Sequence, residues 1–334
     1  MAGTGGLVLP SARFAGAIVN VPGIRVGHAS DLKGGTGVTV LLCEAGAVCG
    51  LDVRGGGSSL RNPTVAMPGH RVEKVHAVFF AGGSAYGLDA GGGIMRYLEE
   101  RGVGFPVRGL RIPIVTGAIL FDLGVGNPRS RPDAAMAYRA CRNARSGKTA
   151  QGTVGAGVGA SIGKYFGVPR GMKGGLGTAA LTCGPLQVSA LAVVNAFGDV
   201  RDPETGRIFA GARDAVGGRR LVGIEALLRG GAPGTSPTSG DSTTLGLIAT
   251  TASLTREQAC RLAMASQVAL ARCLSPAHTG NDGDVVFALS LGGVRADLLA
   301  LEALAVEALT RAIVRGVKLA KALPGIPAWR DLRT

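Results

Sequence analysis

The chain changes character abruptly at residue 242. Gly230-Gly231-Ala232-Pro233-Gly234-Thr235-Ser236-Pro237 carries the Gly, Pro, Ser and Thr of a loop, and Ser239-Gly240-Asp241-Ser242-Thr243-Thr244 continues it as a polar lead-in. Leu245-Gly246-Leu247-Ile248-Ala249 then runs apolar without alternation, the pattern of a strand covered on both faces. Such a strand must lie inside layers rather than on them. A hydroxyl at its mouth stands on a rigid support and stays reachable. The same Ser and Thr also suit plain turn positions, so the junction by itself does not declare a function.

Apolar residues make up 46% of the 334, which supplies a large core, but aromatics are only 4%. That core must be built from Ala, Val, Leu and Ile. The 56 glycines follow no three-residue period, which excludes collagen and points to tight turns and close backbone approaches. A formal charge of +14 raises nucleic-acid binding. The basic residues are scattered, however, and no aromatics interleave with them as base-stacking surfaces require. No nucleic-acid partner is expected. The six cysteines (43, 49, 141, 183, 260 and 273) form no Cys-x-x-Cys pair and mostly sit in apolar runs, as free thiols in a reducing compartment do. No signal-peptide pattern or uncharged apolar run of spanning length is present, so a cytoplasmic protein without a membrane partner is expected.

Residues 1 to about 18 read as a loosely specified arm. Strands are expected over 37–42, over 47–53 pairing with it, over 75–80, around Gly152 to Ser161, over 174–182 and over 187–197. Ser84 can cap a helix that reaches about Glu100 and stops at Gly102. The stretch from about Asp202 to Ser242, with a helical piece near Ile224 to Leu228, reads as an insertion or linker crossing the surface. Thr255-x-x-Gln258 is a capping box opening a helix that ends before Pro276. A strand over 284–291 and a long helix over 296–322 close the chain. Strands with helices towards both ends suggest sheets between helical layers, an α/β (α+β) single domain over 1–334.

Several motifs can be weighed and set aside. Gly155-Ala156-Gly157-Val158-Gly159-Ala160 fits a loose dinucleotide fingerprint but lacks the acidic residue that would bind ribose, so no cofactor is expected. His278, Asp282 and Asp284 could ligate a metal, yet Thr279-Gly280-Asn281-Asp282-Gly283 is turn chemistry, and no metal is expected. Lys173 and Asn195 stand out more. Lys173 precedes Gly174-Gly175-Leu176-Gly177 and leads into apolar sequence, where a lysine needs a partner or a depressed pKa. Asn195 lies inside Ala192-Val193-Val194-Asn195-Ala196-Phe197, where an unpaired amide would cost about 1–3 kcal/mol.

Taken together, Val21-Pro22-Gly23-Ile24-Arg25-Val26-Gly27-His28, Ala81-Gly82-Gly83-Ser84-Ala85-Tyr86-Gly87-Leu88, Lys173-Gly174-Gly175-Leu176-Gly177-Thr178-Ala179, Val193-Val194-Asn195-Ala196, Ser242-Thr243-Thr244-Leu245-Gly246-Leu247-Ile248-Ala249-Thr250 and His278-Thr279-Gly280-Asn281-Asp282-Gly283-Asp284 resemble the L-aminopeptidase/D-esterase family, whose relatives include β-peptidyl aminopeptidases and nylon-oligomer hydrolase. The resemblance runs from about residue 19 to residue 330. It implies a four-layer αββα sandwich, self-cleavage just before a Ser or Thr, and tetramers of the processed pieces. Residues 1–242 would form the larger piece and 243–334 the smaller.

By the same resemblance Thr243 is the nucleophile, with its freed α-amine as base, Lys173 beside it and Asn195 donating to the oxyanion. Asp282 and Asp284 would orient Lys173 and that amine. Phe121 and Tyr86 are candidate substrate-pocket residues. Two departures stand out. Ser242 occupies the position where the family usually has Asn, which makes Ser242 a rival nucleophile. Phe121 occupies a position where several relatives have Tyr, whose hydroxyl helps hold the substrate. The resulting expectation is an aminopeptidase or amidase for short peptides, amides or esters. Endo-acting hydrolysis of ω-amino-acid oligomers, acyl transfer, and a basic binding protein on the same fold stay open.

Overall fold

The computed structural model describes residues 16–231 and 242–332. The expected loop at 232–241 and the arm up to residue 15 lie outside the described residues. Nine strands form one hydrogen-bonded sheet: β1 (Arg25–Asp31), β2 (Thr36–Val53), β3 (Leu60–Arg61), β4 (Lys74–Ala81), β5 (Val115–Ile119), β6 (Gly175–Cys183), β7 (Leu186–Asn195), β8 (Thr243–Ala252) and β9 (Val285–Val294). Their order is β6-β7-β8-β9-β2-β4-β5-β3, with β1 also on β2. β8 pairs with β9, and β4 with β5, in parallel.

The 18-residue β2 is the hinge of this arrangement. Its first part pairs with β1 and β4, and Val48–Val53 pairs with β9. The two halves of the sheet then face each other. Leu191, Val193, Leu245, Leu247 and Phe287 of one half fill a common core with Leu41, Val78 and Phe80 of the other. The outer faces take the helices. Ile94 and Leu98 of α1 (Ala90–Glu99) and Ala137 and Cys141 of α2 (Ala134–Arg142) pack on Val38, Val40 and Phe79. After α3 (Ile224–Arg229), the other layer is α4 (Arg256–Ser266), α5 (Val268–Cys273) and α6 (Leu298–Lys318), which pack on Val188, Ala190, Ile248 and Val286. The result is the expected αββα layering, with its two β layers joined through β2.

Local chemistry explains most elements. The capping box is present, with Gln258 N donating to Thr255 Oγ1 at 3.2 Å and Thr255 N to Gln258 Oε1 at 2.9 Å. The 243–251 strand is buried throughout except for Thr251, as its unbroken apolar run requires.

Four expectations need correction. Residues 47–53 do not pair with 37–42; both belong to β2, and Gly46, at φ 84°, makes a bulge there instead of a hairpin turn. Around Gly152 to Ser161 only the end is strand, Ser161–Ile162, because left-handed glycines at 152 and 155 turn the rest into a loop with a 3-10 segment, Gly155–Gly157. Ser84 does not cap α1; it opens a 3-10 turn, Ser84–Asp89, with no side-chain cap. The 202–231 part of the expected linker is tied into the fold through buried Ala210, Ala212, Arg213 and Ile224. Ile18 is also buried, its amide donating to Thr178 Oγ1 at 2.6 Å, so the arm is anchored by residue 18.

Candidate active site

The residues picked out from the sequence gather at one end of four neighbouring strands. Gly175 of β6 pairs with Val194 of β7, Asn195 with Thr243 of β8, and Leu245 with Val285 of β9. Lys173, Asn195, Thr243 and Asp284 therefore sit at, or just before, four adjacent strand ends. Neighbouring strands lie about 4.8 Å apart, so the row spans roughly 15 Å.

Thr243 and Ser242 are both buried. Thr243 Oγ1 donates to the Ser242 carbonyl oxygen at 2.6 Å, and Gly283 N donates to the same oxygen at 2.8 Å. The carbonyl of the 242–243 peptide bond is thus gripped by a hydroxyl and a fixed backbone amide. On the far side of that bond, Thr244 N donates to Asp284 Oδ1 at 2.7 Å. The other Asp284 oxygen accepts from His278 N at 3.3 Å and lies 2.9 Å from His278 Nδ1. This contact raises the His278 pKa above its ordinary value. Asp282 binds Thr279 N and Oγ1 through Oδ2, at 3.0 and 2.6 Å, and Phe197 N through Oδ1 at 3.2 Å. Burial, reinforced by the Asp284 charge, pushes its pKa up. Among the described residues no three His, Cys, Asp or Glu side chains converge as a metal site would require.

Lys173 is fully buried and donates to three carbonyls, Gly157 at 2.8 Å, Ala160 at 2.5 Å and Gly174 at 3.1 Å. The glycine-rich 155–160 stretch, which resembles a dinucleotide loop in sequence, is therefore a cradle for an ammonium group. Desolvation lowers the Lys173 pKa to about 7, against a counter-pull from Asp122. The expectation that Asp282 and Asp284 orient Lys173 is corrected here: its hydrogen bonds go to backbone, and the carboxylate whose charge it feels is Asp122. Asp122 is itself buried, accepting from Gly83 N and Thr36 Oγ1 at 2.7 Å each, and burial lifts its pKa to about 6. A Cβ on Gly82 or Gly159 would strike the Asp122 side chain, so glycine is needed at both positions.

Asn195 is buried, with Oδ1 accepting from Ser161 N at 2.9 Å and Lys164 Nζ at 3.2 Å. Its Nδ2 donates to Phe121 O at 3.1 Å. Phe121 thus touches the row through its backbone. Tyr86 is 56% exposed, with the Arg131 guanidinium 3.6 Å from its ring centroid, and among the described residues it makes no hydrogen bond to the row.

Asp122, Lys164 and the Gly283 amide escaped the sequence reading. Lys164 carried a usable signal, since Ile162-Gly163-Lys164-Tyr165-Phe166 sets a lysine among apolar residues just as at Lys173.

The family model for peptidase family S58 matches residues 16–328. An uncharacterized aminopeptidase of Mycobacterium leprae (strain TN) is 39% identical over 351 residues, covering 94% of this chain and 93% of the relative. A 6-aminohexanoate-oligomer endohydrolase of Kocuria sp. (strain KY2) is 30% identical over 311 residues, covering 89% of this chain and 84% of the relative. Among solved structures, an L-aminopeptidase D-Ala-esterase/amidase of Ochrobactrum anthropi, described as a variant of the Ntn hydrolase fold, superposes with TM-score 0.67 at 18% identity. It covers 91% of this chain and 86% of that one. A Burkholderia sp. β-aminopeptidase gives TM-score 0.65 at 22% identity over the same shares of the two chains. At such identities the likeness speaks to the fold.

Proposed function

The chain belongs to peptidase family S58, and on that footing we propose that it is a self-processing hydrolase that uses Thr243 to release N-terminal residues from short peptides, amides or esters. The observation that carries this reading is the contact of Thr243 Oγ1 with the Ser242 carbonyl group, whose oxygen a fixed amide also holds. In the uncut chain Oγ1 attacks the Ser242 carbonyl carbon, the C–N bond breaks as the Oγ1 proton passes to the Thr243 nitrogen, and the acyl group moves to oxygen as an ester. Gly283 N–H is aimed at the oxygen on which negative charge develops. Water hydrolyses the ester, leaving a Ser242 carboxylate and a Thr243 amine.

That amine supplies what the uncut chain lacks. An α-amine has an ordinary pKa of about 7.7–8.0, so a fraction is neutral near pH 7 and can take the Oγ1 proton. Oγ1 attacks the substrate carbonyl, Asn195 Nδ2 donates to the oxyanion, and the leaving amine collects the proton. Water, deprotonated by the same amine, then cleaves the acyl-enzyme ester. Lys173, two strand ends along the same row, opposes protonation of the amine while it carries charge. The pieces stay together after the cut, because β8 lies between β7 and β9 and both pieces fill the same cores. Assembly of four such pairs is part of the proposal and is read by the mass of the native particle.

Intact mass and N-terminal sequencing test the assignment. Active protein is expected as two chains, the smaller beginning Thr-Thr-Leu-Gly, and Thr243→Ala as one uncut, inactive chain. A smaller chain beginning at Ser242 would transfer the role to Ser242. An uncut protein with full activity would end the proposal. The Kocuria relative favours a second reading, internal cleavage of 6-aminohexanoate oligomers. Products separate the two: single residues released in order, or mixed internal fragments.

A further inference from the structure

Lys164 is a second buried lysine at this end of the sheet, and the chemistry above makes no use of it. It opens the short 3-10 turn Lys164–Phe166 behind Gly163, which has φ 68° and lies too close to Gly211 and Ala212 to carry a Cβ. The turn is pinned to the segment after β7, with Gly163 N donating to Gly198 O and Lys164 N to Phe197 O, both at 3.1 Å. From that anchor the side chain, in a residue 1% exposed, brings Nζ back to Asn195, donating to its carbonyl oxygen at 3.1 Å and its Oδ1 at 3.2 Å.

We propose that Lys164 is a positioning residue that fixes the orientation of the Asn195 amide and strengthens it as a donor; this rests on the Thr243 reading. The two ends of an Asn side chain have nearly the same shape and are told apart only by their partners. Here Lys164 Nζ and Ser161 N both donate to one end, so that end is the oxygen. A flipped amide would face two donors with its own NH2 and leave the Phe121 carbonyl opposite an oxygen. The NH2 is therefore held on the Phe121 side before any substrate arrives, and no reorientation is needed as charge develops. A cation on Oδ1 also polarises the amide and makes Nδ2–H a stronger donor.

A double-mutant cycle on the full-length protein tests this, reading precursor conversion rate, kcat and KM of the cut form, and the unfolding midpoint. Asn195→Ala is expected to lower kcat by about 10²–10³-fold, the range for one oxyanion donor. Lys164→Met should lower it by about 10–10²-fold with KM little changed, as for a misplaced group, and Lys164→Arg, which keeps a cation and donors, should recover most of the loss. On the Asn195→Ala background Lys164→Met should change kcat by less than about twofold, because the group it acts through is gone. If a variant stays uncut, the same cycle is read on conversion rates. Wild-type kcat in Lys164→Met, or losses that multiply on the Asn195→Ala background, overturns the role of Lys164. A wild-type protein that is active without a Thr243 terminus instead overturns the underlying reading, whatever the cycle shows.

Discussion

Asp199 and Asp284 are both fully buried, and each takes backbone N–H groups from distant segments. Asp199 accepts from Ala212 N at 2.8 Å and Ile224 N at 2.6 Å, and burial raises its pKa to about 6. Asp284 accepts from Thr244 N at 2.7 Å and from His278. The Asp199 amides belong to the connection leading into α3, and the carboxylate ties that connection down. The Asp284 amide directly follows the Ser242–Thr243 bond, in a row that also holds Asn195 and Lys173. A buried carboxylate that accepts backbone N–H groups therefore reports only that those donors needed an acceptor. What separates the two regions is company: a hydroxyl against a held carbonyl, and buried ammonium groups close by.

The sharpest way to break this contrast is to remove one charge from each region. Lys173→Ala is expected to cut kcat/KM by about 10²–10³-fold, within the range for groups that govern proton transfer, and to slow precursor conversion. Wild-type rates would remove Lys173 from the chemistry. Asp199→Ala should do the reverse. It leaves the Ala212 and Ile224 amides unpaired at about 1–3 kcal/mol each, lowering the urea midpoint while kcat of the folded fraction stays within about twofold. An Asp199→Ala protein that is folded yet as slow as Lys173→Ala would erase the distinction.

The same contrast separates what could be read in the sequence from what could not. β8 and α4 were legible because their signals are local: an unbroken apolar run, and a Thr and Gln at capping distance. The bulge in β2 was not. Glu44-Ala45-Gly46 looks like a turn, and only pairing with β1, β4 and β9 keeps the strand continuous. At the site, Thr243, Lys173, Asn195, Asp282 and Asp284 stood out as polar residues in apolar surroundings or through family resemblance. Their partners did not. Lys173 looked like a partner for Asp282 and Asp284, yet it is cradled by carbonyls of 157 and 160 and lies near Asp122, contacts that exist only once separate segments pack. Asp199 gave no signal, because it opens a short strand, Asp199–Arg201, and the amides it holds lie 13 and 25 residues further along the chain.

The smallest effect expected is a slope of stability with pH, and it bears on the charge of Lys173. Its pKa is lowered in the folded protein from 10.5 to about 7, so its contribution is fully present above 10.5 and is lost as pH falls towards 7. Asp122 shifts the other way, from 3.8 to about 6, so its contribution is present below 3.8 and is lost as pH rises through 6. Replacing Lys173 by Met in the uncut Thr243→Ala protein removes the first contribution. It also removes the cation that holds Asp122 down, extending the Asp122 loss above pH 6. Both changes act in one direction. The stability of Thr243→Ala relative to Thr243→Ala/Lys173→Met should grow from about pH 6 to about pH 10, by an amount on the order of a few kcal/mol, and stay flat over the more acid range nearest pH 5. Thermal or urea unfolding of the two proteins in parallel reads that difference directly. A difference independent of pH would mean that Lys173 keeps an ordinary affinity for its proton, and that its three carbonyls offset burial. The ammonium would then be a permanent charge in the site, and in the proposed mechanism the pH dependence of turnover would belong to the Thr243 amine alone.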